Sequence, residues 1–213
     1  MKIIQNDIFS KKGELFLPYI EEIKTAKNEL KDALEILKSW DLRMSSGKEA
    51  ALHNIFMNFF HEEVFKDDLG EDYGRFDTLF RRKQAGLLRI LSDPLSPWFD
   101  KKETQVVETR EEIIKISLER AYKWLKGRYG SPDKWDWMKI NSLRFRHPLG
   151  DVPLLKFLNR GPYPMAGDAF TVRVSFSPSL KKKSGVSYRQ IIDLSDFRNS
   201  VCVLSSGESG HFL

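Results

Sequence analysis

Phe170-Thr171-Val172-Arg173-Val174-Ser175-Phe176 alternates apolar with polar or charged side chains along its whole length. A period of two is that of a strand with one face on a core. The stretch is expected to turn Phe170, Val172, Val174 and Phe176 inward and Thr171, Arg173 and Ser175 outward. Ser184-Gly185 then reads as a turn and Val186 to Leu194 as a second strand. Val201 to Leu204 reads as a third strand, short and buried, with Cys202 as a small core residue.

Upstream of about residue 140 the period changes to that of helices. Ile20, Ile23, Leu30, Leu34 and Leu37 recur at helical spacing, with Pro18 near the expected start, where proline is tolerated. Ser46-Gly47-Lys48-Glu49 has the pattern of a capping box ahead of Leu52, Ile55, Phe56, Phe59 and Phe60. That helix is expected to fray near Asp67-Asp68-Leu69-Gly70. Phe76, Leu79, Phe80, Leu87, Leu88 and Leu91 suggest another helix, ended by Asp93-Pro94 and Ser96-Pro97. Thr109-Arg110-Glu111-Glu112 is a second capping box, opening a helix with Ile113, Ile114, Leu118, Ala121 and Leu125 on one face. The expected class is therefore α+β, a helical N-terminal part followed by antiparallel strands. Residues 1–140 form the mainly helical segment and 141–213 the β-rich one, together one structural unit.

The bulk composition is that of a globular protein: 213 residues, 41% hydrophobic and 12% aromatic, enough to bury a core. The net charge of +5 is partly local, in Arg81-Arg82-Lys83 and Lys181-Lys182-Lys183. Both runs read as solvated surface, and no nucleic-acid-binding consensus accompanies them, so nucleic acid is not an expected partner. The single cysteine excludes an intramolecular disulfide and a cysteine-based metal cluster. No apolar stretch approaches the length of a membrane span, and the start of the chain lacks a signal-peptide pattern. No membrane contact is expected, and localisation is left open.

Candidate chemistry is sparse. His53 and His61 lie eight residues apart on one expected helix, about 12 Å along its axis at 1.5 Å per residue. That is too far to share an ion, and His61-Glu62-Glu63 reads as a solvated face. Trp40, Trp135 and Trp137 read as core anchors whose indole N–H groups seek partners. Arg144-Phe145-Arg146-His147-Pro148 reads as a loop, and Asn159-Arg160-Gly161-Pro162 as a turn. Gly207-Glu208-Ser209-Gly210 lacks the spacing of a nucleophile elbow. No catalytic, cofactor-binding or metal-ligating residue is assigned, and no cofactor is expected.

Several segments, in order, resemble the C-terminal part of the penicillin acylase (penicillin amidase) family. They are Gln5-Asn6-Asp7-Ile8-Phe9-Ser10, Leu37-Lys38-Ser39-Trp40-Asp41, Trp135-Asp136-Trp137 and His147-Pro148-Leu149. Gly167-Asp168 with Thr171-Val172, then Tyr188-Arg189 with Asp193-Leu194, and Gly207-Glu208-Ser209-Gly210-His211 complete the series. Met138 stands where the family usually has glycine, and Asn141 where it often has histidine. The resemblance implies a four-layer αββα N-terminal nucleophile hydrolase acting on linear amides, such as acyl side chains of β-lactams or acyl-homoserine lactones. It also implies that the nucleophile is an N-terminal serine, whereas residue 1 here is Met1. The family's oxyanion donors and calcium site lie earlier too.

The chain is accordingly expected to be a C-terminal fragment of the β subunit, inactive alone, with a separately encoded N-terminal acylase portion as a possible partner. The parent family is often periplasmic or extracytoplasmic. The alternative is a non-catalytic interaction or structural module derived from that family. A small sheet with open edges, and the apolar pair Phe212-Leu213, lead to the further expectation of a homo-oligomer formed through a sheet edge.

Overall fold

The computed structural model describes residues 1–80, 84–176, 184–186 and 188–204. The two basic runs and the Gly207–Leu213 stretch lie outside the described residues, as do the side chains of Leu79, Phe80 and Phe176. In chain order the helices are α1 Lys2–Gln5, α2 Lys11–Glu21, α3 Asn28–Lys38, α4 Lys48–Leu69, α5 Tyr73–Phe80, α6 Gln84–Ser92, α7 Arg110–Tyr129 and α8 Trp137–Ile140. The strands are β1 Leu143–Phe145, β2 Arg160–Tyr163, β3 Ser175–Phe176, β4 Ser184–Gly185, β5 Tyr188–Ile191 and β6 Val201–Leu204. The protein is thus helical first and short-stranded after, a mixed α and β chain. Its residues gather into two compact units. One comprises Lys12–Asp41 and Gly47–Trp135; the other comprises Met1–Lys11, Leu42–Ser46 and Asp136–Leu213.

The helical unit is built on α4 and α7. Apolar residues crowd more than one side of α4, so Leu52, Phe56 and Phe60 are fully enclosed. From α7 come Ile113, Ile114, Leu118, Ala121 and Leu125, none of them exposed. Phe60 stands edge-on to Phe16 of α2 with ring centroids 5.6 Å apart, a geometry that suits the ring quadrupoles. Asp32 and Glu29 of α3 meet Tyr122 Oη (3.2 Å) and Lys126 Nζ (3.0 Å) of α7.

The expected capping box at Thr109 forms completely. The Thr109 hydroxyl accepts from the Glu112 N–H, and the Glu112 carboxylate accepts from the Thr109 N–H at 2.7 Å. The other expected box, at Ser46, does not form. Gly47 is the N-cap of α4 and no side chain caps it.

The single helix expected around Ile20 to Leu37 is two. Pro18 lies inside α2, not at its start, and α2 ends three residues later. Proline withholds the N–H that would bond one turn back, which weakens the helix there. Thr25 Oγ1 then accepts from the Lys27 N–H at 3.2 Å, turning the chain into α3. The apolar positions still serve the core: Ile20, Ile23, Leu30, Leu34 and Leu37 are all buried.

The second unit holds three two-stranded antiparallel sheets, β1–β2, β3–β4 and β5–β6. The long strand expected over 170–176 is not there. Only Ser175 and Phe176 are extended, and the burial pattern is reversed: Thr171 and Ser175 are buried while Val172 is exposed. The cause is local. The Phe170 N–H donates to Asp168 Oδ1 at 2.7 Å, and the Asp168 N–H donates to Thr171 Oγ1 at 2.9 Å. These side chains satisfy the backbone donors that a strand would use, and they fold the segment into a turn. Ser184-Gly185, expected as a turn, is a strand pairing with Ser175-Phe176. The turn expected at Asn159-Arg160-Gly161-Pro162 is mostly β2, which pairs with β1. Asn159 explains this: its amide bridges the His147 N–H and the Gly150 carbonyl, closing the loop between the two strands. The second expected strand shortens to β5. The third is found as β6, but it is exposed along its whole length, and Cys202 is exposed with it.

Candidate functional site

Three of the segments singled out in the sequence meet in a buried polar knot in the second unit. Trp137 opens α8, which Asp136 caps by accepting from the Met138 N–H at 3.0 Å. Met138 is therefore an ordinary helical residue, and its departure from glycine is accommodated. The Trp137 indole N–H donates to the Gly167 carbonyl at 2.9 Å. One turn on, Asn141 donates through Nδ2 to the carbonyls of Met165 (3.1 Å) and Gly167 (3.3 Å), and contacts Ser175 Oγ. An amide nitrogen brings two hydrogens to one point, which suits this cluster of acceptors.

Gly167 is at the centre. Its φ is 89°, and an added Cβ would lie 2.0 Å from the Arg173 carbonyl oxygen. A side chain cannot be fitted there without moving the backbone. The Gly167 N–H donates to the Met44 carbonyl at 2.7 Å, and the Met44 N–H donates to Ile8 at 2.9 Å. The Arg173 N–H reaches the Asp7 carbonyl at 2.8 Å. The segments 7–8, 42–44, 137–141 and 165–175 are thereby bound into one body. Thr171 Oγ1 donates to the Arg173 carbonyl at 2.8 Å. The hydroxyls of Thr171 and Ser175 are committed to holding the chain, so the knot is a positioning device.

Sequence reading assigned none of Asn141, Thr171 and Ser175 to such a role. The signal that could have found it was Asp168 followed by Thr171, a pair able to hydrogen-bond its own backbone. The tryptophan readings agree with the structure, since Trp40, Trp135 and Trp137 are all buried.

In the helical unit the two histidines of α4 depart from the solvated reading. His61 is buried and stacks against Phe65 with centroids 6.2 Å apart. His53 is 1% exposed. It lies between Trp40 (centroids 4.6 Å) and Phe56 (6.4 Å). Neither ring nitrogen has a hydrogen-bond partner among the described residues. Burial first, and the positive charge of Lys12 second, hold its pKa well below the ordinary histidine value, so the imidazole is neutral.

Glu63 is buried as well, clasped by Lys101 and Arg120. Its neighbour Glu62 takes Arg120 at 3.0 Å and Lys66 at 2.6 Å. Burial pushes the Glu62 carboxyl up, but the two cations together outweigh it and leave the group below its usual range. These carboxylates are ionised and bound to cations. Among the described residues no group of three or more histidine, cysteine, aspartate or glutamate side chains is placed to hold a metal ion. No helix among them is long and apolar enough to cross a membrane.

The acyl-homoserine lactone acylase QuiP of Pseudomonas aeruginosa is 26% identical to this chain, over 87% of the chain and 25% of the relative. The protein of the same name from Pseudomonas putida is 26% identical over 87% and 24%. That from Pseudomonas syringae pv. syringae is 26% identical with the same coverage, 87% and 24%. The chain thus spans about a quarter of the length of the curated relatives it matches. The family model described as penicillin amidase matches residues 1–213, and the chain belongs to that family.

Proposed function

We propose that this chain is a framework portion of a penicillin amidase-type hydrolase of linear amides, with acyl-homoserine lactones as the first candidate substrates and acylated β-lactams as the second. The observation that carries the reading is the family match along residues 1–213, with three matched segments tied into the Trp137–Asn141–Gly167 knot. In this reading the portion contributes position and not bond-breaking. Its buried hydroxyls, those of Ser117, Thr171 and Ser175, are spent on the Ile113 carbonyl, the Arg173 carbonyl and the Asn141 amide. The nucleophile and the oxyanion donors, which the chemistry requires on either side of the scissile carbonyl, come from family sequence outside the matched quarter. The names of the Pseudomonas relatives favour the lactone substrates.

The test is hydrolysis of hexanoyl- and decanoyl-homoserine lactone and of a phenylacetyl anilide. The purified chain alone should release no acid. The chain joined to the remaining acylase sequence should do so. Turnover by the chain alone, lost on replacing one internal serine, would overturn the proposal. The rival reading, a non-catalytic interaction module, is favoured by the exposed apolar surface of β5–β6. Failure of the assembled protein to hydrolyse any of these amides would select it.

A further inference from the structure

The β5–β6 ribbon exposes apolar side chains on both of its faces. Its register places Tyr188 opposite Leu204 and Gln190 opposite Cys202, with Arg189 opposite Val203 and Ile191 opposite Val201. Side chains alternate along a strand, so Tyr188, Leu204 and Cys202 share one face, while Val201, Val203 and Ile191 share the other. Tyr188 is 49% exposed, Leu204 38%, Val201 42% and Val203 61%. Four consecutive apolar residues, Val-Cys-Val-Leu, are the pattern of a strand covered on both faces.

The edges differ as well. On β5 the Gln190 carbonyl accepts from Gln5 Nε2 at 3.1 Å, and Arg189 donates to Asn6 Oδ1 at 2.9 Å. Among the described residues, β6 has a ladder neighbour on one side only. Its free edge is a template for another strand.

We infer that β6 is a docking strand, covered on its edge and both faces by the part of the acylase that lies outside the matched quarter, on the same polypeptide or another. The inference rests on the acylase reading. A second copy of this chain fits less well. A two-fold axis brings one patch onto its equivalent and covers one face, leaving the other exposed. The relatives, by contrast, carry about three quarters of their length beyond the match, ample to supply an adjoining strand and a layer on each side.

Cys202 reports the contact, because its thiol lies exposed on β6. The probe is the portion of the Pseudomonas aeruginosa relative outside its match, purified and added to the full chain, with maleimide labelling of Cys202 as readout. At ten times the Kd labelling should slow about tenfold. Val203→Lys, on the opposite face from the thiol, should abolish that protection. Val106→Lys, at an exposed valine of the helical unit, should leave it intact. Unchanged labelling with the probe overturns the inference. So does protection that grows with the concentration of this chain alone and sediments as a dimer, which assigns the ribbon to a second copy. Labelling does not depend on hydrolysis: protection without turnover removes the acylase reading and keeps the docking strand, and turnover without protection does the reverse.

Discussion

The helical unit and the stranded unit of this protein are stabilised in different ways. Around α4 and α7 the backbone is satisfied within each helix, and stability comes from enclosed rings and aliphatic side chains such as Phe56, Phe60 and Leu118. In the stranded unit the sheets are two strands wide, and side chains do much of the work of pairing the backbone. Asn141, Asp168, Thr171 and Asn159 each bind main-chain groups. Two-stranded ribbons are marginal without further layers. The first unit contains its own core, whereas the second spends polar side chains on order and leaves Val201, Val203 and Phe197 in solvent.

The largest effect should come from breaking the core of the first unit. Phe56→Ala removes a fully enclosed ring between Phe60 and His53, and should cost about 3–5 kcal/mol. The matching change in the ribbon, Val203→Ala, should cost less than about 0.5 kcal/mol. Urea titration of both variants measures the difference. Equal losses would mean that the ribbon is as enclosed as the helical core, and the contrast between the units would disappear.

Next in size is the knot. Asn141→Ala leaves the buried Ser175 hydroxyl and the Gly167 and Met165 carbonyls short of a donor, at a cost of about 1–3 kcal/mol. Asn141→His, the residue frequent in the family at this place, is the sharper comparison. Recovery of most of the loss would show that any donor at this point suffices. No recovery would show that two hydrogens on one nitrogen are needed.

What could be read from the sequence follows the same division. Helices were legible because their hydrogen bonds are local and their apolar period survives even where the element breaks: Ile20 and Leu30 belong to different helices, yet both are buried. What periodicity could not show was which side of α4 is wet, because a helix enclosed on several sides buries His53, His61 and Glu63 along with its phenylalanines. The strand expected over 170–176 failed because two side chains, those of Asp168 and Thr171, outcompeted the ladder for backbone donors. The knot was beyond reach from patterning, since Asn141 meets Ser175 across 34 residues. The order of the family segments did place its members in one chain.

His53 offers a test of enclosure through pH. Its pKa in the folded protein lies well below the 6.5 of a free histidine, chiefly through burial and then through Lys12. The unfolded chain therefore takes up the proton first as pH falls. The contribution of neutral His53 is full above about pH 6.5 and declines on acidification towards the folded pKa, by about 1.4 kcal/mol per pH unit. His53→Phe, which keeps a ring between Trp40 and Phe56, should remove that component. Stability curves of the two proteins that run parallel between pH 7 and pH 5 would show that the imidazole is not enclosed.

The smallest effect sets two helix starts of the same unit against each other. Both Ser46-Gly47-Lys48-Glu49 and Thr109-Arg110-Glu111-Glu112 carry the capping-box pattern, but only the second makes the reciprocal bonds. Thr109→Ala removes the acceptor for the Glu112 N–H and the hydroxyl that holds the Glu112 carboxylate at 2.8 Å. A loss of about 1 kcal/mol is expected. At α4 the N-cap is Gly47, so Ser46 lies outside the helix and Ser46→Ala should change stability by less than about 0.5 kcal/mol. Thermal unfolding of the two variants separates them. A comparable loss at Ser46 would mean that its hydroxyl caps α4 in solution. The start of α4 would then owe its position to a side chain, as α7 does, and not to the burial of the apolar residues that follow it.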